Sequence, residues 1–303
     1  MCDNETFLTA ARRDLLAPAS TVDIDGLAGL WRWDEARVTC ERPQELEDTP
    51  DLALRVRGAL GRVLRDRALA PRRSDPWSRP SAFELFYQWA PPAEGGFEVA
   101  RPFVIRVDVV GGRVEVAARL FGWAGFHIQE VREALWTALE GGVSLRAGAR
   151  WRVPFRPIDA SLDRREGVSI AGPTSQATLI LETPTVIRAG RELTVRPAAL
   201  PMAAARRAAS LAPWMGVSLD QDVGALRAAC LRIDYRTGDL TPARWVRHSI
   251  RRPGEPIPVY AFEGRVAMSG RLEALAPYLR LAETCGLGSH AALGFGRNRV
   301  AFY

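Results

Sequence analysis

The chain has 303 residues, 47% of them hydrophobic, with 41 basic against 35 acidic side chains and a net charge of +6. That composition excludes disorder and fibrous repeats and suffices for two ordinary cores, so two domains are expected. No apolar run of about 18 residues marks a membrane helix, and the opening MCDNETFLTAARRD lacks the basic-then-apolar order of a signal peptide, which points to a cytoplasmic protein without membrane partners.

Residues 1–50 mix polar and apolar positions, with an aromatic-basic cluster at 31-WRWDEARV-38 and a turn at 41-ERPQELEDTP-50. From 51 to 70, Leu54, Ala59, Leu60, Val63 and Leu64 recur at helical spacing among arginines, predicting an amphipathic helix. The aromatic run 82-AFELFYQW-89 reads as a strand. Strands are also predicted at 101–110 and 113–121, joined by Gly111-Gly112, a strong hairpin signal. Helical spacing returns over 126–140, Gly141-Gly142 ends it, and 149-ARWRVPFRPI-158 reads as a further strand. The polar stretch 159–176 is taken as a linker.

A second round follows: a strand at 177–187, a helix at 202–214, mixed strand at 226–236, an antiparallel pair at 243–250 and 257–269, a helix at 271–285, and a last strand at 299–303. This order predicts an α+β chain of two tandem ferredoxin-like, RRM-related domains with antiparallel sheets, at 1–160 and 175–303.

Every basic residue is an arginine. Schiff-base and P-loop lysines are therefore excluded, while a planar guanidinium fork suits a phosphate-rich partner. Cys2, Cys40, Cys230 and Cys285 lie far apart with no CxxC pair, which supports neither a zinc site nor a disulfide framework. No HExxH, GxSxG or clustered His/Cys set is present, so no metal and no cofactor is expected.

The chain closes with the glycine-rich 286-GLGSHAALGFG-296. It joins a helix to a strand, the reverse of a dinucleotide-binding turn. Either the glycines form a tight turn, or Gly286, Gly288, Gly294 and Gly296 let a ligand approach the backbone beside Arg297 and Arg299. Three histidines are available. His127 begins a helix in an apolar setting, which favours packing. His248 is flanked by Arg247, Arg251 and Arg252, cations that favour its neutral form. His290 lies inside the glycine loop, and with His248 it is a candidate acid or base.

The loop 286-GLGSHAALGFG-296 before a final strand resembles that of the CRISPR-associated repeat-RNA endoribonucleases of the RAMP superfamily, the pre-crRNA endoribonuclease family. In the same order, 57-RGALGRVL-64 is similar to its "LRGALG" element, with Val56 in place of leucine; 83-FELFYQW-89, 101-RPFVI-105 and 120-LFGWA-124 resemble its central strands; and 247-RHSIRR-252 resembles an "RxSxRQ" element, with Arg252 in place of glutamine. The resemblance spans residues 51–303.

It implies two ferredoxin-like domains that bind CRISPR repeat RNA and cleave precursor crRNA without metal. A 2′-hydroxyl attacks the adjacent phosphate, leaving 2′,3′-cyclic phosphate and 5′-hydroxyl ends. Arg247, Arg251, Arg252, Arg297 and Arg299 would hold phosphates. Other CRISPR effector-complex subunits are the further partners implied. Many members carry their catalytic histidine in the first helix, whereas this chain has no histidine before 127. Either the role falls to His248, His290, a tyrosine or an arginine, or the chain is an inactive RAMP subunit that binds or caps guide RNA.

Overall fold

The computed structural model describes residues 15, 17, 18, 20–46, 51–69, 81–88, 99–145, 151–169, 174–189, 192, 193, 196–249 and 252–303; at 189, 192, 193, 245–249 and 252–257 it describes backbone alone. In chain order the elements are β1 (Ser20–Val22), α1 (Ile24–Leu30), β2 (Arg32–Glu41), α2 (Leu52–Leu69), a π-helical turn (Glu84–Gln88), β3 (Phe103–Val110), β4 (Arg113–Phe121), a 3-10 segment (Gly122–His127), α3 (Ile128–Glu140), β5 (Arg156–Glu166), β6 (Gln176–Thr185), the short β7 (Arg188–Ala189) and β8 (Glu192–Leu193), α4 (Ala199–Leu211), a 3-10 turn (Ala212–Met215), β9 (Val217–Leu219), α5 (Val223–Leu231), β10 (Asp234–Arg236), β11 (Leu240–Ser249), β12 (Arg252–Ser269), α6 (Ala276–Cys285), a 3-10 turn (Ala291–Leu293) and β13 (Asn298–Phe302). No helix among the described residues is long and apolar enough to cross a membrane.

Two compact units result. The first comprises the described residues up to Thr21, Trp31–Glu166 and Ser210–Ser218; the second comprises Val22–Leu30, Gly167–Ala209 and Leu219–Tyr303.

In the first unit, four antiparallel strands stand in the order β3-β4-β2-β5, with α2 and α3 packed on the sheet and on each other. That is the ferredoxin-like βαββαβ order. On β2, Ala36, Val38 and Cys40 are buried while Arg37 and Glu41 face solvent, the period of two that a half-buried strand requires. The Gly111-Gly112 turn forms as expected, with Val110 paired to Arg113 and Gly111 at φ +57°. Trp214 belongs to this unit: its indole Nε1 donates to the Ala100 carbonyl at 2.8 Å and its ring lies 4.4 Å from that of Trp123.

Two expectations fail here. Residues 84–88 are helical, not a strand, because Ser81 and Glu84 cap each other: the Ser81 backbone N–H donates to Glu84 Oε2 at 2.7 Å and the Glu84 N–H to Ser81 Oγ at 3.2 Å. This reciprocal capping box satisfies donors that a helix start leaves open. The supposed linker begins instead as strand, since β5 runs through Glu166 in register with β2. As an edge strand β5 needs no apolar face, and its charged sequence conceals it.

In the second unit the sheet order is β10-β12-β6-β13, with β11 also paired to β12. Strand, helix, hairpin, helix, strand again gives the ferredoxin-like order. Mixed strand was expected over 226–236; residues 234–236 do form β10, but 223–231 are helix, because the Asp222 carboxylate accepts the Ala225 N–H at 2.9 Å and caps it. The outer edge of β13 is sealed by α6. Glu283 Oε1 accepts the Val300 N–H at 2.7 Å, and Arg280 Nη1 donates to the Val300 carbonyl at 3.1 Å and to Glu283 Oε2 at 3.0 Å.

Candidate RNA-binding and cleavage site

The glycine loop is stapled to its own unit by backbone hydrogen bonds. Gly286 ends α6 with its N–H on the Ala282 carbonyl at 2.8 Å; Leu287 N–H donates to the Gly296 carbonyl at 2.7 Å, Ser289 N–H to Val186 at 2.8 Å and Gly296 N–H to Pro184 at 3.0 Å. Buried Asn298 closes the base, its Nδ2 donating to the carbonyls of Ala282 at 3.0 Å and Gly296 at 3.1 Å.

All four glycines adopt positive φ: +79° at Gly286, +76° at Gly288, +90° at Gly294 and +73° at Gly296. A Cβ on Gly288 would overlap the Val186 carbonyl oxygen, and one on Gly296 that of Leu287. The close approach these two permit is thus to the protein's own backbone. Their presence is explained without a ligand.

His290 is different. Among the described residues it is the one non-glycine at positive φ, +74°, where it precedes the 3-10 turn and its carbonyl accepts the Leu293 N–H at 2.8 Å. A side chain held in that region costs about 1–3 kcal/mol, and such strain concentrates at functional positions.

Arg297 links the loop to β13, which carries Arg299. Arg297 is anchored through its backbone, its N–H donating to Thr183 Oγ1 at 2.9 Å and its carbonyl accepting the Glu182 N–H at 2.9 Å. Both guanidinium groups converge on one carboxylate: Arg297 Nε is 2.7 Å from Glu182 Oε2 and Arg299 Nε 3.7 Å from Glu182 Oε1. Sequence reading did not single out Glu182. Its signal was a lone acid on the solvent-facing alternation of the apolar strand 177-ATLILETPT-185.

The other candidates lie on the β11–β12 hairpin. Arg247 pairs in register with Ile257, His248 with Pro256 and Ser249 with Arg252; the side chains of Arg247, His248 and Arg252 lie outside the described residues, as does Arg251 altogether. Strand β6 accompanies β12 only as far as Thr185 opposite Phe262, so residues 252–261 run on past that end of the sheet. The glycine loop is anchored at the same end. Val186, whose carbonyl holds Ser289, packs in one apolar cluster with Val259, Ala261 and Ala243 at the hairpin base. From the Trp245–Val259 rung, His248 is three residues farther along, about 10 Å at the usual rise. On the hairpin, Arg244 lies over the Tyr260 ring, 5.2 Å from its centroid.

His127, in the first unit, fits the packing role expected of it. Its Nδ1 lies 3.0 Å from Glu130 Oε2 and its ring meets Phe86 edge-on at 6.2 Å.

Residues 179–298, 120 of the 303, match the sequence model of the CRISPR-associated endoribonuclease Cas6 family. No curated protein matches the chain in sequence. Among solved structures, a Cas6 product complex aligns with a TM-score of 0.54 at 19% identity, covering 89% of this chain and 99% of that one. Thermus thermophilus Cas6 gives 0.55 at 15% identity, covering 89% and 98%. At these identities the likeness is one of fold: the double ferredoxin-like architecture of Cas6 extends over both units.

Proposed function

We propose that the protein binds CRISPR repeat RNA and cleaves precursor crRNA, with His290 in the reacting site. The observation that carries this reading is His290 itself, held at φ +74° in a stapled loop inside the stretch that matches the Cas6 sequence model, with Arg297 and Arg299 directly after that loop. That a solved structure of similar fold is a Cas6 product complex supports the same substrate class.

Cleavage proceeds by attack of a 2′-oxygen on the neighbouring phosphorus. The 2′-hydroxyl proton passes to a base, the bond from phosphorus to the 5′-oxygen breaks, and that oxygen takes a proton as it leaves. The products are a 2′,3′-cyclic phosphate and a 5′-hydroxyl. Imidazole serves either transfer near neutral pH, for about 10²–10⁴-fold in rate. His290 and His248, carried at the same end of the sheet, are the two candidates for it. Arg297 and Arg299 bind phosphate and oppose the charge that builds on it, and Arg247, Arg251 and Arg252 are further candidates for phosphate binding. The reaction requires no metal.

The test is incubation with repeat RNA of the chain's own locus in excess EDTA, comparing wild type with His290→Ala and His248→Ala. A cut ending in 2′,3′-cyclic phosphate and lost in the His290 variant is expected. Loss in His248→Ala alone would transfer the role to the hairpin. Binding with no cut in wild type would leave a guide-RNA-binding subunit instead.

A further inference from the structure

The Glu182 pair has a geometry that the reading above does not use. Arg297 and Arg299 converge on a single carboxylate, an anion of the same charge and similar span to one phosphodiester group. Glu182 is held through its backbone: its N–H donates to the Arg297 carbonyl at 2.9 Å, and the Thr183 hydroxyl accepts the Arg297 N–H at 2.9 Å. The guanidinium groups are accessible, Arg299 the more so, with 66% of its side chain exposed. Next to them, Ile180 pairs with Arg299 on one side and Arg265 on the other, so a third exposed arginine stands on the same row of the sheet.

We propose that Arg297 and Arg299 form a subsite for one RNA phosphate and that Glu182 occupies it in the free protein, as an internal competitor that RNA must displace. This rests on the RNA-binding reading above. The Arg297–Glu182 pair keeps 27% and 28% of its side chains exposed, and the longer Arg299 contact is more open, so solvent reaches and screens both and exchange with a phosphate is feasible. While Glu182 stays charged, two arginines and one glutamate present a net +1; with the carboxylate neutralised they present +2. The competitor therefore lowers affinity for any RNA and leaves tight binding to those that make further contacts elsewhere.

The experiment measures fluorescence anisotropy of a labelled 12-nucleotide oligouridylate and of the repeat RNA, over 50–300 mM salt, with wild type, Glu182→Gln, Arg297→Ala/Arg299→Ala and the triple variant. Glu182 is exposed, so the glutamine variant should melt with wild type. Expected is about tenfold tighter binding of both RNAs by Glu182→Gln, with a salt slope steeper by about 0.7, one single-strand phosphate contact. The gain should vanish in the triple variant. Equal or weaker binding by Glu182→Gln would overturn the proposal by making the carboxylate a mere support. A gain that survives without the two arginines would overturn it too, as a general charge effect. If neither wild type nor Glu182→Gln binds RNA, the RNA reading itself fails and this proposal with it.

Discussion

Substituting alanine at Gly296 and at Gly167 separates backbone strain from steric contact. Both residues sit at φ +73° in the second unit, but a Cβ on Gly167 meets nothing within 4 Å, whereas one on Gly296 would overlap the Leu287 carbonyl oxygen and stand 3.0 Å from its carbon. Left-handed backbone costs an L-residue about 1–2 kcal/mol. Alanine recovers about 0.4–1 kcal/mol by stiffening the unfolded chain. Gly167→Ala should thus lose about 1 kcal/mol. Gly296→Ala adds the cost of forcing atoms apart in a packed region, about 1–3 kcal/mol, for a total near 3. Thermal melts read the difference directly: at about 2–4 °C per kcal/mol for units of this size, Gly296→Ala should fall roughly three times as far as Gly167→Ala. Equal shifts would refute the argument that Gly296 is required by the Leu287 carbonyl.

Three other outcomes are expected. Burial pushes the Glu35 carboxyl upward, but Arg119 and Arg37 outweigh it and hold the group below the usual carboxylate range; the stability it supplies is therefore fully present above that range and lost as pH falls from there through the group's own lowered value. Glu35→Gln should lower stability by about 1.5–3 kcal/mol at pH 7 and flatten the acid limb of the urea-midpoint profile, whereas an unchanged profile would show the pair to be inert. Glu283→Ala, which frees the Val300 N–H and unties Arg280, should cost about 1–2 kcal/mol in a urea melt and promote concentration-dependent association by light scattering, because the edge of β13 is uncovered. Burial pushes the Cys40 thiol up to about 12, so a thiol reagent at pH 7.5 should modify Cys40 only on unfolding; prompt native labelling by mass spectrometry would contradict the packing of β2.

Elements whose signals are local were legible in the sequence. Gly111-Gly112 announced the β3–β4 hairpin, and the apolar spacing of 51–70 announced α2, because turn chemistry and helical period are written over a few neighbouring residues. The failures have distinct causes. Aromatic content outweighed the Ser81–Glu84 capping box, so a helical turn was read as a strand. In β5 the charges of 161-SLDRRE-166 suggested a linker, because pairing with β2 supplies what the side chains do not. The site divides the same way. His290, Arg297 and Arg299 stand together in one short stretch and could be nominated; Glu182 lies more than a hundred positions earlier, and only the register of β6 against β13 brings it to them. The glycines were recognised as permitting close approach, but the approaching groups proved to include carbonyls of Val186 and Leu287.

The chain does not complete its first unit before beginning its second. Trp214, packed at a tilt against Trp123 and tied to Ala100, is made only after β6 and α4 of the second unit have been synthesised. During translation the early sheet must therefore wait, its Ala100 carbonyl and Trp123 face unmet, until residue 218 has emerged. A gene fragment ending at Glu166 encodes all four strands of that sheet and still omits one of its packing surfaces. Chimeras that exchange halves between related proteins should accordingly carry residues 210–218 with the N-terminal parent and 22–30 with the C-terminal one.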